Sequence, residues 1–478
     1  MQIEWYRGVY HIVSIQSETM FSFLGLIESG RERKRLIIMK QRLTRRDILL
    51  VGITLFSMFF GSGNLIFPPY LGFQAGTETW KGLAGMSVTA VLFPVLGIVA
   101  IAHSGDLMKL ASRVGKRFAI IFTILVFLAL GPGLAIPRNA AVSFEMAVAP
   151  FMKEIPLYVR IAYSAVFFAI AFWMSIHPER LTDTLGKVLG PVLLALILIL
   201  VCGCFMNFSG NYGAPSGGYE TSPIIRGFLE GYNTMDTLAA LNFGNIIVLN
   251  LMNRNVTEKK DLVKASSYAG LIAGILLFVI YAAMANVGAM SGSLYSEASN
   301  GAAVLTNIVG SLFGNAGILV LGIVYVLACL TTCIGLLCSC AEFFAGISKI
   351  SYRAWVILFT AGSFAMSIGG LDRILAFSVP ILVALYPIAI VLVILGLLNE
   401  KISSVPKIYP WTIGFTAAVS ILLGLQSAGI SIPLLSDAIA SIPPSADLCW
   451  IIPALIGAGI GILRSKEMMA ERMQERAG

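Results

Sequence analysis

Long apolar runs recur along the whole chain with only short loops between them. They fall at about 47–73, 83–103, 118–149, 157–176, 184–206, 224–252, 263–290, 316–347, 353–370, 374–398, 409–427 and 447–463. A helix crosses the hydrocarbon layer with roughly 20 apolar residues. Twelve such runs therefore predict an all-α polytopic membrane protein of about 12 transmembrane helices. The third, sixth and eighth runs are long enough to be tilted or broken. Composition agrees: 57% of residues are hydrophobic and only 12% charged, with a mean hydropathy of +0.86, whereas a soluble domain carries about 25% charged residues. So little polar surface excludes a soluble enzyme, a disordered chain and a DNA-binding domain. Because the runs continue to the end of the sequence, they do not read as a cleaved signal peptide.

The net charge of +8 has a membrane explanation. Loops on the cytoplasmic side carry excess Lys and Arg. Residues 31–46 hold eight of them (Arg31, Arg33, Lys34, Arg35, Lys40, Arg42, Arg45 and Arg46). With that end inside, alternate loops gain groups such as Lys109, Arg113, Lys116, Arg117, Lys259, Lys260, Lys349, Arg353, Lys401 and Lys407. The other side holds little more than Lys81, Lys153, Arg160 and Arg373, and 207–223, 291–315 and 428–446 have neither Lys nor Arg. The alternation persists through all twelve runs, so both termini are expected in the cytoplasm, with no nucleic-acid partner. Residues 1–46 read as a basic cytoplasmic segment. Within it, 1–38 are mixed and aperiodic, and Met39-Lys40 looks like a start, so 1–38 are expected to be an extension or a misassigned start, with a genuine amphipathic lead-in as the alternative.

Cysteine and histidine add no chemistry. The seven Cys lie mostly in apolar runs, where a thiol behaves as a small apolar side chain. Cys338-Ser-Cys340 lacks the further ligands that a metal site needs. His11, His103 and His177 are too scattered for a metal centre.

Interruptions of the runs point to a site, because in lipid a broken helix costs several kcal/mol unless it lines a cavity. The first run contains Phe59-Phe60-Gly61-Ser62-Gly63-Asn64 and then Pro68-Pro69. Gly61 and Gly63 tolerate non-helical dihedrals, and Ser62 and Asn64 can cap a new helix. A second half-helix is expected to start near 62–64, its positive dipole end at mid-membrane, ready for a carboxylate. The sixth run carries Asn233-Thr234-Met235-Asp236-Thr237 and Asn242 at similar depth. An ionisable residue there is functional by default, although Asp236 reads equally as an acid bonding a nearby helix end. Broken first and sixth runs suggest two inverted five-helix repeats with the site between the breaks. The repeats fall at 47–206 and 224–398, two additional helices at 409–463 and a cytoplasmic tail at 464–478. At the middle of the eighth run, Thr331 and Thr332 could bond their own preceding carbonyls or offer oxygens to a hard cation. In the third run, Arg138 and Glu145 are spaced to pair across two turns, as a structural bridge or, alternatively, with a role in coupling. Glu342 lies near the cytoplasmic end of the eighth run, where it can cap or pair.

The string 59–69, Phe-Phe-Gly-Ser-Gly-Asn-Leu-Ile-Phe-Pro-Pro, closely resembles the first-span signature of bacterial branched-chain amino acid carriers, the BrnQ or LIV-II family. Ala135-Ile136-Pro137-Arg138-Asn139, Val142-Ser143-Phe144-Glu145, 234–241 and 328–332 match in the same order, so the resemblance spans about 40–465. It implies symport of leucine, isoleucine and valine across the bacterial plasma membrane, driven by sodium or, alternatively, protons. The implied fold is the LeuT-type 5+5 inverted repeat with broken helices 1 and 6. The implied sodium site uses the carbonyls of Ser57, Phe60 and Ala328 and the hydroxyls of Thr331 and Thr332. A second ion would use Asn64 and Thr237, with no evident partner in the seventh run. The substrate carboxylate would meet N–H groups around Ser62, Gly63 and Asn64. Its ammonium would meet carbonyls near Phe59 and in Thr237, Leu238, Ala239 and Ala240, with Asp236 as a direct partner or a proton site. Phe243 would wall the side-chain pocket.

Rival readings fit less well. A channel calls for a continuous lined pore, and a membrane enzyme for a nucleophile–base pair or a metal site. The nearest alternative is the same fold carrying another small neutral amino acid.

Overall fold

The computed structural model describes residues 44–176, 190–207, 211–253, 256, 258–292, 298, 300–430 and 448–477. The expectations for 1–38, and for the basic segment before Thr44, lie outside these residues. Every regular element among the described residues is helical.

The first helix, α1 (Arg45–Phe59), starts on a capping box: Thr44 Oγ1 accepts from Asp47 N at 3.2 Å, and Thr44 N donates to Asp47 Oδ2 at 3.0 Å. It stops at Phe60, and α2 (Ser62–Ala75) begins two residues later. Helices α3 (Thr79–Ser87) and α4 (Phe93–Ser104) follow, joined by a π-turn at Val88–Leu92. After the short α5 (Leu107–Ser112) come α6 (Lys116–Leu128) and α7 (Ala135–Ala147). A π-turn at Ala129–Gly133 separates that pair, with Gly131 non-helical and Pro132 beside it, so the third run is broken as well. Next are α8 (Leu157–Ser175) and α9 (Gly190–Asn207). The sixth run is α10 (Pro223–Thr234) and α11 (Asp236–Asn253), bent by 44°. Then come α12 (Lys259–Ser291), α13 (Gly301–Ile347), α14 (Tyr352–Ser367) and α15 (Leu371–Leu397). The chain ends with α16 (Asn399–Ile402), α17 (Ile408–Ser427) and α18 (Ile451–Ala477). The break in α13 is at Gly314, with φ +59°, ahead of the expected eighth run, which is continuous helix.

Among the described residues, seven helical stretches are long and apolar enough to cross a membrane, and the bent pair α10–α11 makes an eighth. Large apolar side chains such as Ile121, Trp173, Ile199 and Leu455 face outward, where lipid is the natural solvent. The molecule is a multi-pass membrane protein.

Small residues hold its centre together. A Cβ on Gly72 of α2 would stand 1.8 Å from the carbonyl of Ala285 on α12, and one on Gly288 would stand 2.0 Å from the carbonyl of Pro69. The two backbones touch, as small residues allow in membrane bundles. The loop at 211–222 lies over their ends, with Ser216 N donating to Gln74 O and Gly213 N to Ala289 O.

Overpacking a tight contact costs about 1–3 kcal/mol. Gly72→Ala and Gly288→Ala are each expected to lower the thermal unfolding midpoint of the purified protein. Gly414→Ala, which meets nothing within 4 Å, is expected to leave it level or higher. Equal midpoints for all three would contradict the backbone contact.

Candidate functional site

Residues Phe60 and Gly61 leave the helical range, with φ/ψ of −73°/87° and −121°/−159°. The N–H groups freed at the start of α2 are taken by side chains. Gly61 N donates to Asn64 Oδ1 at 3.0 Å, and Ser62 N to Asn139 Oδ1 of α7 at 3.1 Å. In the sixth run a single residue makes the break. Met235 is left-handed at φ 65°, the only non-glycine with positive φ among the described residues, and its N–H donates to Tyr232 O. Asp236 is thus the first residue of α11, where the helix dipole favours a carboxylate.

The breaks are bonded to each other. Asn64 Nδ2 donates to Asp236 Oδ1 at 2.9 Å and Oδ2 at 2.7 Å. Tyr281 of α12 joins them, its hydroxyl donating to Asp236 Oδ2 at 2.7 Å and accepting from Asn64 Nδ2. Asp236 N donates to Thr234 Oγ1. Gly63 is needed beside this node: a Cβ there would come within 2.8 Å of Arg138 Nη2 and 3.1 Å of Thr234.

A narrow cavity lies between the breaks. Of the expected substrate residues, Phe59, Ser62, Gly63, Asn64, Asp236, Ala239 and Phe243 line it. The rings of Phe59 and Phe243 stand 5.9 Å apart. Thr237, Leu238 and Ala240 are not among the lining residues. Thr237 Oγ1 donates to Thr89 O at 2.8 Å, its N–H points to the Tyr386 hydroxyl at 3.4 Å, and Ala240 packs towards Gly97.

Of the residues expected to hold a cation, Thr332 reaches the first break. Its Oγ1 donates to Phe60 O at 3.2 Å and Met58 O at 3.4 Å. Thr331 Oγ1 donates back to Ala328 O at 2.9 Å. Ser57 is buried on the preceding turn, its hydroxyl without a partner among the described residues, and Met58 supplies the second carbonyl beside Thr332. A Cβ on Gly61 would meet Thr332 Oγ1 at 2.9 Å, so this contact also depends on a glycine.

The expected Arg138–Glu145 bridge is not formed. Arg138 Nη1 donates to Asn233 O at 2.6 Å and Nε to Ser62 Oγ at 3.3 Å, and its guanidinium lies over the Phe67 ring. Glu145 instead stands 3.8 Å from Arg160 of α8. Seven residues apart in the uninterrupted helix α7, the two side chains stand about 10.5 Å apart along its axis, with Arg138 beside the cavity and Glu145 near the other end. Arg138, Asn139 and Tyr281 are site residues that sequence reasoning did not assign. An ionisable residue just after Gly131-Pro132-Gly133 was the signal for Arg138; Tyr281 gave none.

A sequence model described as Branched-chain amino acid transport protein matches residues 44–468. The branched-chain amino acid permease BraB of Bacillus subtilis is 38% identical over 428 residues, covering 88% of this chain and 96% of the relative. The branched-chain amino acid transport system 2 carrier protein of Pseudomonas aeruginosa is 37% identical over 421 residues, covering 87% and 95%. The permease BrnQ of Escherichia coli is 36% identical over 428 residues, covering 89% and 97%. These relatives are named as permeases and carriers, not enzymes. Among solved structures, Mhp1, a nucleobase-cation-symport-1 family transporter in a closed conformation, superposes with a TM-score of 0.55 at 15% identity, over 89% of this chain and 93% of that one. A manganese transporter from Eremococcus coleocola gives 0.51 at 14% identity, over 87% and 94%. These structural likenesses are of fold alone. With its sequence matched from 44 to 468, this chain belongs to the branched-chain amino acid transport protein family.

Proposed function

We propose that this protein imports leucine, isoleucine and valine across the bacterial plasma membrane by alternating access, coupled to a sodium gradient. The observation that carries the reading is the hydrogen-bonded meeting of two helix breaks, Asn64 on Asp236, in one buried cavity. Relatives named for branched-chain amino acids at 36–38% identity support the substrate class. In this proposal the twelve apolar runs all cross the membrane, as two inverted five-helix repeats and two further helices, with both termini in the cytoplasm.

The substrate lies between the breaks. Its carboxylate faces the first turn of α2, where the helix dipole favours an anion. Its ammonium is drawn to Asp236, and its branched side chain rests against Phe59, Ala239 and Phe243. Sodium travels as a second cargo between α1 and α13, among the oxygens of Phe60, Ala328, Thr331 and Thr332. The close approach of Thr332 Oγ1 to Phe60 O supports that location, as does the preference of hard cations for oxygen donors. By joining the unwound turn of α1 to α13, the ion favours the state that binds substrate, since only differential affinity moves such an equilibrium. One bundle then rocks against the other and releases both cargoes inside.

Uptake of labelled isoleucine into proteoliposomes tests the coupling. A sodium gradient is expected to drive uptake and Thr332→Ala to abolish it. Uptake driven only by protons and indifferent to Thr332→Ala would remove the sodium site and leave Asp236 as the coupling residue. Transport of alanine or serine but of no branched-chain substrate would move the assignment to another small neutral amino acid.

The pocket wall has its own test. A methylene in an apolar pocket is worth about 1–3 kcal/mol, roughly 10–200-fold. Phe243→Ala is expected to raise the half-saturation concentration for isoleucine within that range. An unchanged value would show that the side chain rests elsewhere.

A further inference from the structure

Of the charged side chains among the described residues, only Arg138 and Asp236 are buried, at 3% and 1% exposure. Both line the same cavity. They are differently provided for. Asp236 accepts from Asn64 through both oxygens and from Tyr281. Arg138 has no carboxylate within 4.0 Å among the described residues; its partners are the neutral Ser62 hydroxyl, the Asn233 carbonyl and the Phe67 ring. A guanidinium has five N–H donors and stays protonated in proteins, and burying such a charge with no anion in direct contact is costly. Its position sharpens the demand. It bonds Ser62, the first residue of α2, and its Nη2 stands 2.8 Å from where a Cβ of Gly63 would be. A cation and the positive end of a helix dipole therefore converge on one spot.

We infer that Arg138 and Asp236 form a clamp for an α-amino acid zwitterion, in which Arg138 anchors the carboxylate and sets specificity for it. The inference rests on reading this cavity as the substrate site of an amino acid carrier, and it adds a residue to that site. One fixed positive and one fixed negative charge make the cavity neutral, which suits a ligand carrying one of each. The planar fork of arginine matches a carboxylate in two parallel hydrogen bonds. The Nε bond to Ser62 Oγ, long at 3.3 Å, is the contact to be exchanged for the substrate, while the 2.6 Å bond to Asn233 O holds the guanidinium in place.

The test is thermal stabilisation of the purified full-length protein by L-leucine, by leucinamide, which lacks the carboxylate, and by isocaproate, which lacks the ammonium. The unaltered protein is expected to prefer leucine over either analogue by at least about a hundredfold. In Arg138→Gln, leucine weakens to the level of leucinamide, so that preference disappears, while the preference over isocaproate persists. Arg138→Lys keeps the charge but not the fork, and its preference over leucinamide falls about tenfold; it decides the matter if the Gln variant does not fold. An unchanged leucine-to-leucinamide ratio in the folded variants, or equal weakening of all three ligands, overturns the clamp. If the unaltered protein binds alanine or serine but no branched-chain ligand, the branched-chain reading fails. The same ratio measured with that amino acid and its amide then still judges Arg138.

Discussion

A membrane interior offers no water to a broken helix, so each backbone group released by a break must be met by protein. That constraint organises the site. The start of α2 is held by Asn64 from its own first turn and by Asn139 from α7. The start of α11 carries Asp236, and the side chain of Asn64 reaches across to it. Asn64 thus caps one break through its oxygen and grips the other through its nitrogen. Were α1 and α2 one straight helix, Asn64 would have neither task and Asp236 would have no partner on that side.

The second requirement is close approach. Gly72 and Gly288 bring α2 and α12 into backbone contact, and this contact brings Tyr281 of α12 to the Asn64–Asp236 pair. At the site itself, Gly61 leaves room for Thr332 and Gly63 for Arg138. The glycines of the first break thus serve twice, in freeing the backbone and in letting α13 and α7 reach it.

The helices and the first break were legible in the sequence, because apolar runs and a Gly-Ser-Gly-Asn interruption are local signals. Asn64 and Asp236 stood out because polar groups at that depth need a reason. The block 237–240 was harder to read, because a helix presents one face at a time. Asp236, Ala239 and Phe243 recur at helical spacing and line the cavity, whereas Thr237, Leu238 and Ala240 face other neighbours. Spacing alone suggests that Arg138 pairs with Glu145, but seven residues of continuous helix set them about 10.5 Å apart along the axis, and each finds a nearer partner on another helix. Tyr281, within an ordinary apolar run, becomes a site residue only through the tertiary contact of α12 with α2.

The central claim is that the two breaks act as one site through Asn64 and Asp236. A double-mutant cycle on isoleucine binding, with Asn64→Ala, Asp236→Asn and the pair together, measures that coupling most directly. Side chains sharing a hydrogen-bond network usually couple by about 0.5–3 kcal/mol. The account predicts that the double variant binds little worse than the weaker single variant, giving a coupling in that range. Losses that simply add would mean that the breaks act independently and would contradict it.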